Sequence, residues 1–89
     1  MSDDKEKSIK ELKAKIKRRE STAKTNDEIG KRYWAYAKNG GIPDPKNHEH
    51  DQNTVGLCFK KARDAYARRD EQLKKIEELK RELEKLERG

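Results

Sequence analysis

The chain has 89 residues and a net charge of +6, and 47% of its residues are charged whereas only 29% are hydrophobic. So few apolar side chains cannot enclose a sizeable core, which argues against an enzyme and predicts a protein without cofactor, metal or small-molecule substrate. The apolar runs are too short for a membrane span or a signal peptide, and the single Cys58 suits a reducing, cytoplasmic location.

The first predicted element is a helix from about residue 4 to about residue 39. Its apolar and small residues recur at the a and d positions of a heptad repeat, where one side of a helix meets a neighbour. These positions hold Ile9, Leu12, Ile16, Arg19, Ala23, Asn26, Gly30, Tyr33 and Ala37. Residues 21–25 favour helix less, and Thr25 with Glu28 has the spacing of a capping box. One continuous helix and two helices that meet near Thr25 are therefore both open alternatives.

The next segment, residues 40–52, is predicted to be a loop. Gly40 and Gly41 should end the helix, because glycine readily adopts the left-handed conformation that follows a helix C-terminus. Pro43 and Pro45 require extended or turned backbone in the residues before them. The loop is long for a connection between paired helices, which suggests a contact surface or a mobile tip.

Two histidines in this loop, His48 and His50, have a spacing and acidic neighbours that suit a zinc or nickel ion. Only Cys58 could join them, since the chain has no second cysteine and no further histidine. A solvated polar loop is the favoured interpretation, and no metal site is predicted. Cys58 with a histidine is also the only pair of nucleophile and base. Its d position favours a buried structural thiol over catalysis.

The last predicted element is a helix from about residue 54 to about residue 87. Its a and d positions are apolar over more than four heptads, with one polar interruption. These positions hold Val55, Cys58, Ala62, Ala65, Arg69, Gln72, Ile76, Leu79, Leu83 and Leu86. Asn53 or Thr54 is the predicted N-cap, whose side-chain oxygen would accept a hydrogen bond from a free backbone N–H.

Together these elements predict an all-α fold in which residues 1–89 form one domain, a long antiparallel helical hairpin or coiled coil. If the chain reverses near Lys46, residues whose numbers sum to about 92 face each other, so Ile16 meets Ile76. The polar interruptions at Arg19 and Gln72 then lie at the same height. The hairpin is divided into an aliphatic base, a polar waist and an aromatic tip.

The apolar stripes are wider than the a and d positions alone, which predicts that a second copy completes a four-helix bundle. The extra positions are Trp34, Phe59, Tyr66 and Leu73 on one flank and Ile29 and Tyr36 on the other. The predicted self-association seam comprises Ile9, Leu12, Ile16, Ile76, Leu79, Leu83 and Leu86. A three-helix monomer with a short first helix is the alternative.

Positive charge is concentrated outside the last helical stretch. Residues 5–38 carry 12 Lys/Arg against 5 Asp/Glu, and residues 53–69 carry five bases against Asp64. The predicted contact surface for nucleic acid or another partner comprises Lys31, Arg32, Trp34, Tyr36, Lys60, Lys61, Arg63, Arg68 and Arg69. Bases can neutralise phosphates and exposed aromatic rings can stack on nucleobases. The competing interpretation is that the aromatic rings fill the tip core and that the bases, including those of residues 13–19, are merely solvated.

The sequence therefore predicts a non-enzymatic basic hairpin that self-associates as a dimer and binds another macromolecule. Nucleic acid is the leading partner, because its charge is opposite to that of the chain. The alternative is a protein-only assembly, adaptor or inhibitor factor that docks on a protein through the aromatic tip and the loop.

Overall fold

Two long helices account for most of the chain. In this computed structural model, which describes residues 2–46 and 49–89, helix α1 spans Ser2–Lys38 and helix α2 spans Val55–Arg88. The helices pack along each other as an extended hairpin, which confirms the predicted all-α antiparallel fold. Of the two alternatives for the first half of the chain, the structure has the continuous helix.

The expected capping box at Thr25 is wrong. The Thr25 hydroxyl donates a 3.0 Å hydrogen bond to the carbonyl of Ser21, one turn earlier in α1. Asn26 likewise donates from its side-chain amide to the carbonyl of Thr22. These polar side chains therefore bond to the backbone within a running helix, which is the alternative to capping that such residues have.

Helix α1 ends in a Schellman motif formed by two glycines. The amide of Gly41 donates to the carbonyl of Tyr36 at 2.7 Å, and the amide of Gly40 donates to that of Ala37 at 3.4 Å. Both glycines have positive φ, 98° at Gly40 and 117° at Gly41. This pair of bonds closes the last turn of the helix and satisfies carbonyls that would lack a partner. The chain is thereby turned back towards α2.

The connection contains more structure than the predicted loop. Strand β1 (Ile42–Pro43) pairs antiparallel with strand β2 (His50–Asp51), and a 3-10 helix follows at Gln52–Thr54. The extended backbone predicted around Pro43 is therefore part of a short β-ribbon.

Thr54 precedes α2, but its side chain does not cap that helix. Its Oγ1 instead accepts a 2.8 Å hydrogen bond from the amide of Ile42 and donates to the carbonyl of Asp51 at 2.6 Å. Thr54 is therefore the N-cap residue of α2, as one of the two alternatives predicted, but the predicted side-chain hydrogen bond is wrong. The side chain of Asn53 does not cap α2 either, because Asn53 lies inside the 3-10 helix. Its backbone N–H donates to the carboxylate of Asp51, which caps that 3-10 helix. Thr54 links the start of α2 to the ribbon.

The core is a single seam between the helices, and every predicted a and d position is buried or half-buried in it. The buried side chains are Leu12, Ile16, Ala23, Ala37, Cys58, Ala62, Ala65 and Ile76. Ile16 and Ile76 lie in one cluster, and Ile42 pairs with Asp51 in the ribbon. In both pairs the residue numbers sum to about 92, which is the predicted register. Small residues dominate the tip half, so the helices approach closely there.

The hairpin measures 64 × 21 × 12 Å, so it is one helix thick. Each helix covers one side of the other and leaves both flanks of the seam open. None of the described helices is long and apolar enough to cross a membrane.

Candidate macromolecule-binding surface

The seam divides the hairpin into two open faces with different chemistry. Residues two apart on a helix point about 200° apart, so Phe59 and Lys61 of α2 lie on opposite faces. The face that we call the Trp34 face carries Asp27, Trp34, Phe59, Arg63 and Leu73, and Tyr66 lies beside it in contact with Arg69. The face that we call the Lys61 face carries Ile29, Tyr33, Lys61, Asp64 and Arg68.

A groove of about 390 Å³ opens on the Trp34 face close to the tip, lined by Trp34, Gly56, Phe59 and Arg63. We call it the tip groove. The rings of Trp34 and Phe59 meet edge to face, with centroids 5.2 Å apart and planes at 77°. Trp34 nevertheless remains 38% exposed. The Trp34 ring is thus packed on one side and open to solvent on another. It is neither fully buried in a tip core nor fully exposed for stacking, the two alternatives that the sequence left open.

The Lys61 face has a smaller groove of about 260 Å³. The ammonium of Lys61 lies 5.1 Å from the centroid of the Tyr33 ring, in a cation–π contact. The Tyr33 and Tyr36 rings pack edge to face at 5.9 Å. The aromatic rings of this face are therefore already covered by neighbours.

An ion network at the waist ties the two helices together. The Asp27 carboxylate of α1 lies 2.9 Å from Lys31 Nζ and 2.6 Å from Arg69 Nη1 of α2. The guanidinium of Arg69 also binds Asp70 and lies 4.8 Å from the Tyr66 ring centroid. Next to this network, Arg19 donates to the side chain of Gln72 at 3.0 Å.

The charges of the network stabilise one another. The pKa of Asp27 lies below its ordinary value of 3.8, because Lys31 and then Arg69 donate hydrogen bonds to the carboxylate. Asp27 in turn raises the pKa of Lys31. Lys31 is exposed, and Asp27 and Arg69 are half-buried, so solvent partly screens their attraction. Both Lys31 and Arg69 already have Asp27 as an ion-pair partner within the chain.

The predicted contact residues are consequently not gathered on one surface. Trp34, Arg63, Lys31 and Arg69 lie on or beside the Trp34 face, and the last two are paired with Asp27. Lys61 and Arg68 line the Lys61 face, and Tyr36 packs beside it on Tyr33. Arg32 and Lys60 are exposed. On the solvent-facing side of α2, Lys60 lies between Arg63 at the edge of the Trp34 face and Lys61 and Arg68 at the edge of the Lys61 face, within three turns of the helix.

The predicted self-association seam lies between the helices of a single chain. Leu12, Ile16 and Ile76 are buried there, and the other four members are half-buried: Ile9, Leu79, Leu83 and Leu86. A second copy could cover only the edges that remain exposed. Leu73, at 49% exposure, and Trp34 are each more exposed than any residue of the predicted seam.

The loop offers little support for metal or nucleophilic chemistry. His48 lies outside the described residues. His50 places Nδ1 2.9 Å from the carbonyl oxygen of Gly41, and Cys58 is fully buried. Among the described residues, no group of three or more His, Cys, Asp or Glu side chains is placed to hold a metal ion.

In the basic run of residues 13–19, Ile16 faces the core and Arg19 is half-buried, whereas the other members are exposed.

Sequence reasoning missed two features of this surface. The first is Asp27, whose spacing to Lys31 signals an ion pair within α1, but whose contact with Arg69 depends on the three-dimensional register. The second is Gly56, which lines the tip groove without a side chain and whose Cβ position has open space around it in the described part of the chain. A glycine in the first turn of a helix carries no sequence signal for a groove.

No protein-family model matches this chain. Searches of curated proteins and of solved structures also found no significantly similar protein or fold. Inference about function therefore depends on the residues of this chain alone.

Proposed function

We propose that this protein is a non-enzymatic binding module that contacts the phosphate backbone of a nucleic acid through the outer surface of α2. The observation that carries the proposal is a set of four exposed bases for which the described chain provides no acidic partner. Lys60, Lys61, Arg63 and Arg68 are exposed and form no ion pair within residues 2–46 and 49–89. Residues 53–69 contain only one acid, Asp64, to offset them.

The arrangement suits phosphates better than it suits an intramolecular role. Exposed bases on one helix repel one another, and a polyanion relieves that repulsion while it releases its condensed counterions. The contrast within the chain supports this argument, because Lys31 and Arg69 already have Asp27 as a partner. We therefore expect them to contribute less to binding than the four unpaired bases.

The salt dependence of binding tests this proposal. Each phosphate-contacting base adds roughly 0.7 to 0.9 to the slope of log affinity against log salt. Replacing Lys60 and Lys61 together with alanine should reduce that slope by roughly 1.4 to 1.8 and weaken binding to unrelated sequences about equally. Fluorescence anisotropy of labelled oligonucleotides over a range of salt concentrations measures both effects.

The matched control is a double substitution of Lys74 and Lys80 with alanine. Both are exposed lysines of the same helix, but they lie in the stretch 70–89, where six bases face seven acids. The control should leave affinity and slope nearly unchanged. Equal losses in both double variants would point to unspecific charge attraction, and absence of binding to any nucleic acid at low salt would refute the proposal.

We also propose that the protein forms a homodimer, in which a second copy covers the waist of the Trp34 face. The support is a groove of about 290 Å³ whose lining includes Leu73, a member of the apolar stripe that the hairpin leaves 49% exposed. Covering such a stripe is the usual reason for bundles of more than two helices. Multi-angle light scattering should show twice the monomer mass at high concentration. Leu73→Asp should shift the mass to that of a monomer, and a wild-type monomer mass at every concentration would contradict the proposal.

A second candidate function is favoured by the same exposed apolar surface. The Trp34 face could dock on a protein, so that the hairpin acts as an adaptor or inhibitor through its aromatic tip. Binding of this kind should change little with salt and should be abolished by Trp34→Ala. Binding to nucleic acid should instead fall steeply as salt is added.

A further inference from the structure

The tip groove places an aromatic ring beside open space. Trp34 is held by its edge-to-face contact with Phe59, so its orientation is set before any ligand arrives. Gly56 contributes no side chain, and a Cβ atom there would meet nothing within 4 Å. The groove has a volume of about 390 Å³ and is open to solvent. There is room for one planar ring against Trp34.

Positive charge lies on two sides of this ring. Arg63 lines the groove from α2, and Lys38 places its Nζ 5.5 Å from the Trp34 ring centroid. Both side chains are exposed, and neither forms an ion pair in the described part of the chain. A solvent-exposed cation–π contact is weaker than the stacking of a base on an aromatic ring. A nucleobase can therefore displace the Lys38 ammonium from the ring, and Lys38 can then contact a phosphate.

The other aromatic rings of the described surface are less available. Arg69 lies over Tyr66 and is itself held by Asp27. Lys61 lies over Tyr33. Trp34 differs from Tyr66, because its covering cation pairs with no acid among the described residues. It differs from Tyr33, which is half-buried, in that it is 38% exposed. Any nucleobase that enters the groove must also be unpaired, since the nucleobases of a duplex are stacked on one another.

We infer that the tip groove takes one unpaired nucleobase of a single-stranded nucleic acid. The base stacks on Trp34, and Arg63 and Lys38 contact the phosphates on either side of it. This inference rests on the proposed function, because the lysine and arginine side chains of α2 supply the general attraction to the phosphate backbone of the nucleic acid. It adds a preference for single strands, which phosphate contacts alone do not produce.

The fluorescence of Trp34, the only tryptophan in the chain, tests the inference directly. We expect an oligothymidylate to quench this fluorescence and a duplex of equal length to bind without quenching it. Trp34→Ala should weaken single-strand binding roughly 5- to 150-fold and should leave duplex binding unchanged. The matched control is Leu57→Ala, at an apolar residue of α2 that is 46% exposed and does not line the groove. It should not alter either affinity.

A second variant separates loss of stacking from loss of fold. Trp34→Leu keeps an apolar side chain against Phe59 but provides no ring, so it should reduce single-strand affinity as Trp34→Ala does. Circular dichroism melts establish which variants remain folded. If a folded Trp34→Leu variant binds single strands as tightly as the wild type, the inference is overturned.

The two proposals fail in different ways. Salt-dependent binding of single strands and duplexes with equal affinity and without quenching would overturn the stacking inference and leave the phosphate proposal intact. No binding to either probe at low salt would refute both. An acidic protein segment would then be the remaining partner for the groove.

Discussion

The ring of Tyr66 lies directly against the backbone of Gly30. A Cβ atom built on Gly30 would be 2.6 Å from Cε1 and 2.8 Å from Cδ1 of that ring, closer than non-bonded carbon atoms can approach. Glycine is unfavourable inside a helix, but here it lets the ring cross from α2 onto α1. The ring in turn supports the guanidinium of Arg69, 4.8 Å from its centroid.

We therefore expect Gly30→Ala to destabilise the protein, although alanine is the better helix former. The clash with Tyr66 should cost about 1–3 kcal/mol in the free energy of unfolding, as is usual for an overpacked site. The matched control is Gly56→Ala, where the added methyl group meets open space. This control should stabilise the protein by about 0.4–1 kcal/mol. Urea denaturation measures both values, and a change of the same sign in the two variants would contradict the explanation.

The ion network predicts a pH dependence that Asp27 controls. Because the pKa of Asp27 is lower in the folded chain than its ordinary value of 3.8, folding favours the ionised carboxylate. Its contribution to stability is complete well above pH 3.8 and is lost as the pH falls through the lower folded pKa. Asp27→Asn should therefore reduce the melting temperature near neutral pH and have a smaller effect at pH about 2.

The control for this experiment is Glu28→Gln, at an exposed neighbour that forms no ion pair among the described residues. It should change the melting temperature little at either pH. If Asp27→Asn and Glu28→Gln behave alike across the acid range, the network does not contribute to stability.

The base of the hairpin should be the most sensitive to truncation of an apolar side chain. Ile76 is 4% exposed and packs against Ile16 and Leu79, so Ile76→Ala should cost about 2–5 kcal/mol. Ile76→Asp should unfold the base, because it buries a carboxylate without a partner. Leu57→Ala, at a side chain that is 46% exposed, should change stability by less than about 0.5 kcal/mol. Thermal melts of the three variants rank these effects.

Zinc and chelators should leave the melting temperature unchanged. His50 directs Nδ1 to the carbonyl of Gly41, and among the described side chains no ligand cluster surrounds it. Differential scanning fluorimetry with added zinc chloride or with EDTA measures the effect. A large fall in melting temperature on chelation would show instead that the loop contains a structural metal site.

The seam was predictable because a heptad repeat has few geometric solutions. Apolar residues at a and d must face a neighbour, and the polar breaks at Arg19 and Gln72 fix which heights meet. The structure joins those two side chains by a hydrogen bond. The end of α1 was predictable for a similar reason, since Gly40 and Gly41 both take positive φ.

The surface was less predictable, because its positions are not set by a repeat. Trp34 lies one step outside the seam, where helical periodicity alone does not decide whether a ring is covered or exposed. Its 38% exposure depends on the open space over Gly56 and on the position of Phe59. The pairing of Asp27 with Arg69 likewise depends on the reach and orientation of long side chains, which residue spacing does not specify.

The pairing of Ile42 with Asp51 also determines the order in which the hairpin can assemble. The ribbon joins residues that are close in the chain, whereas Ile16 and Ile76 at the base meet only across most of its length. Closing a short loop first makes each later contact cheaper in entropy, so folding should advance from the ribbon towards the termini. Substitutions near Gly41 should then slow folding, and those near Ile76 should mainly accelerate unfolding. Amide hydrogens at the two chain ends should exchange with solvent faster than those beside the ribbon.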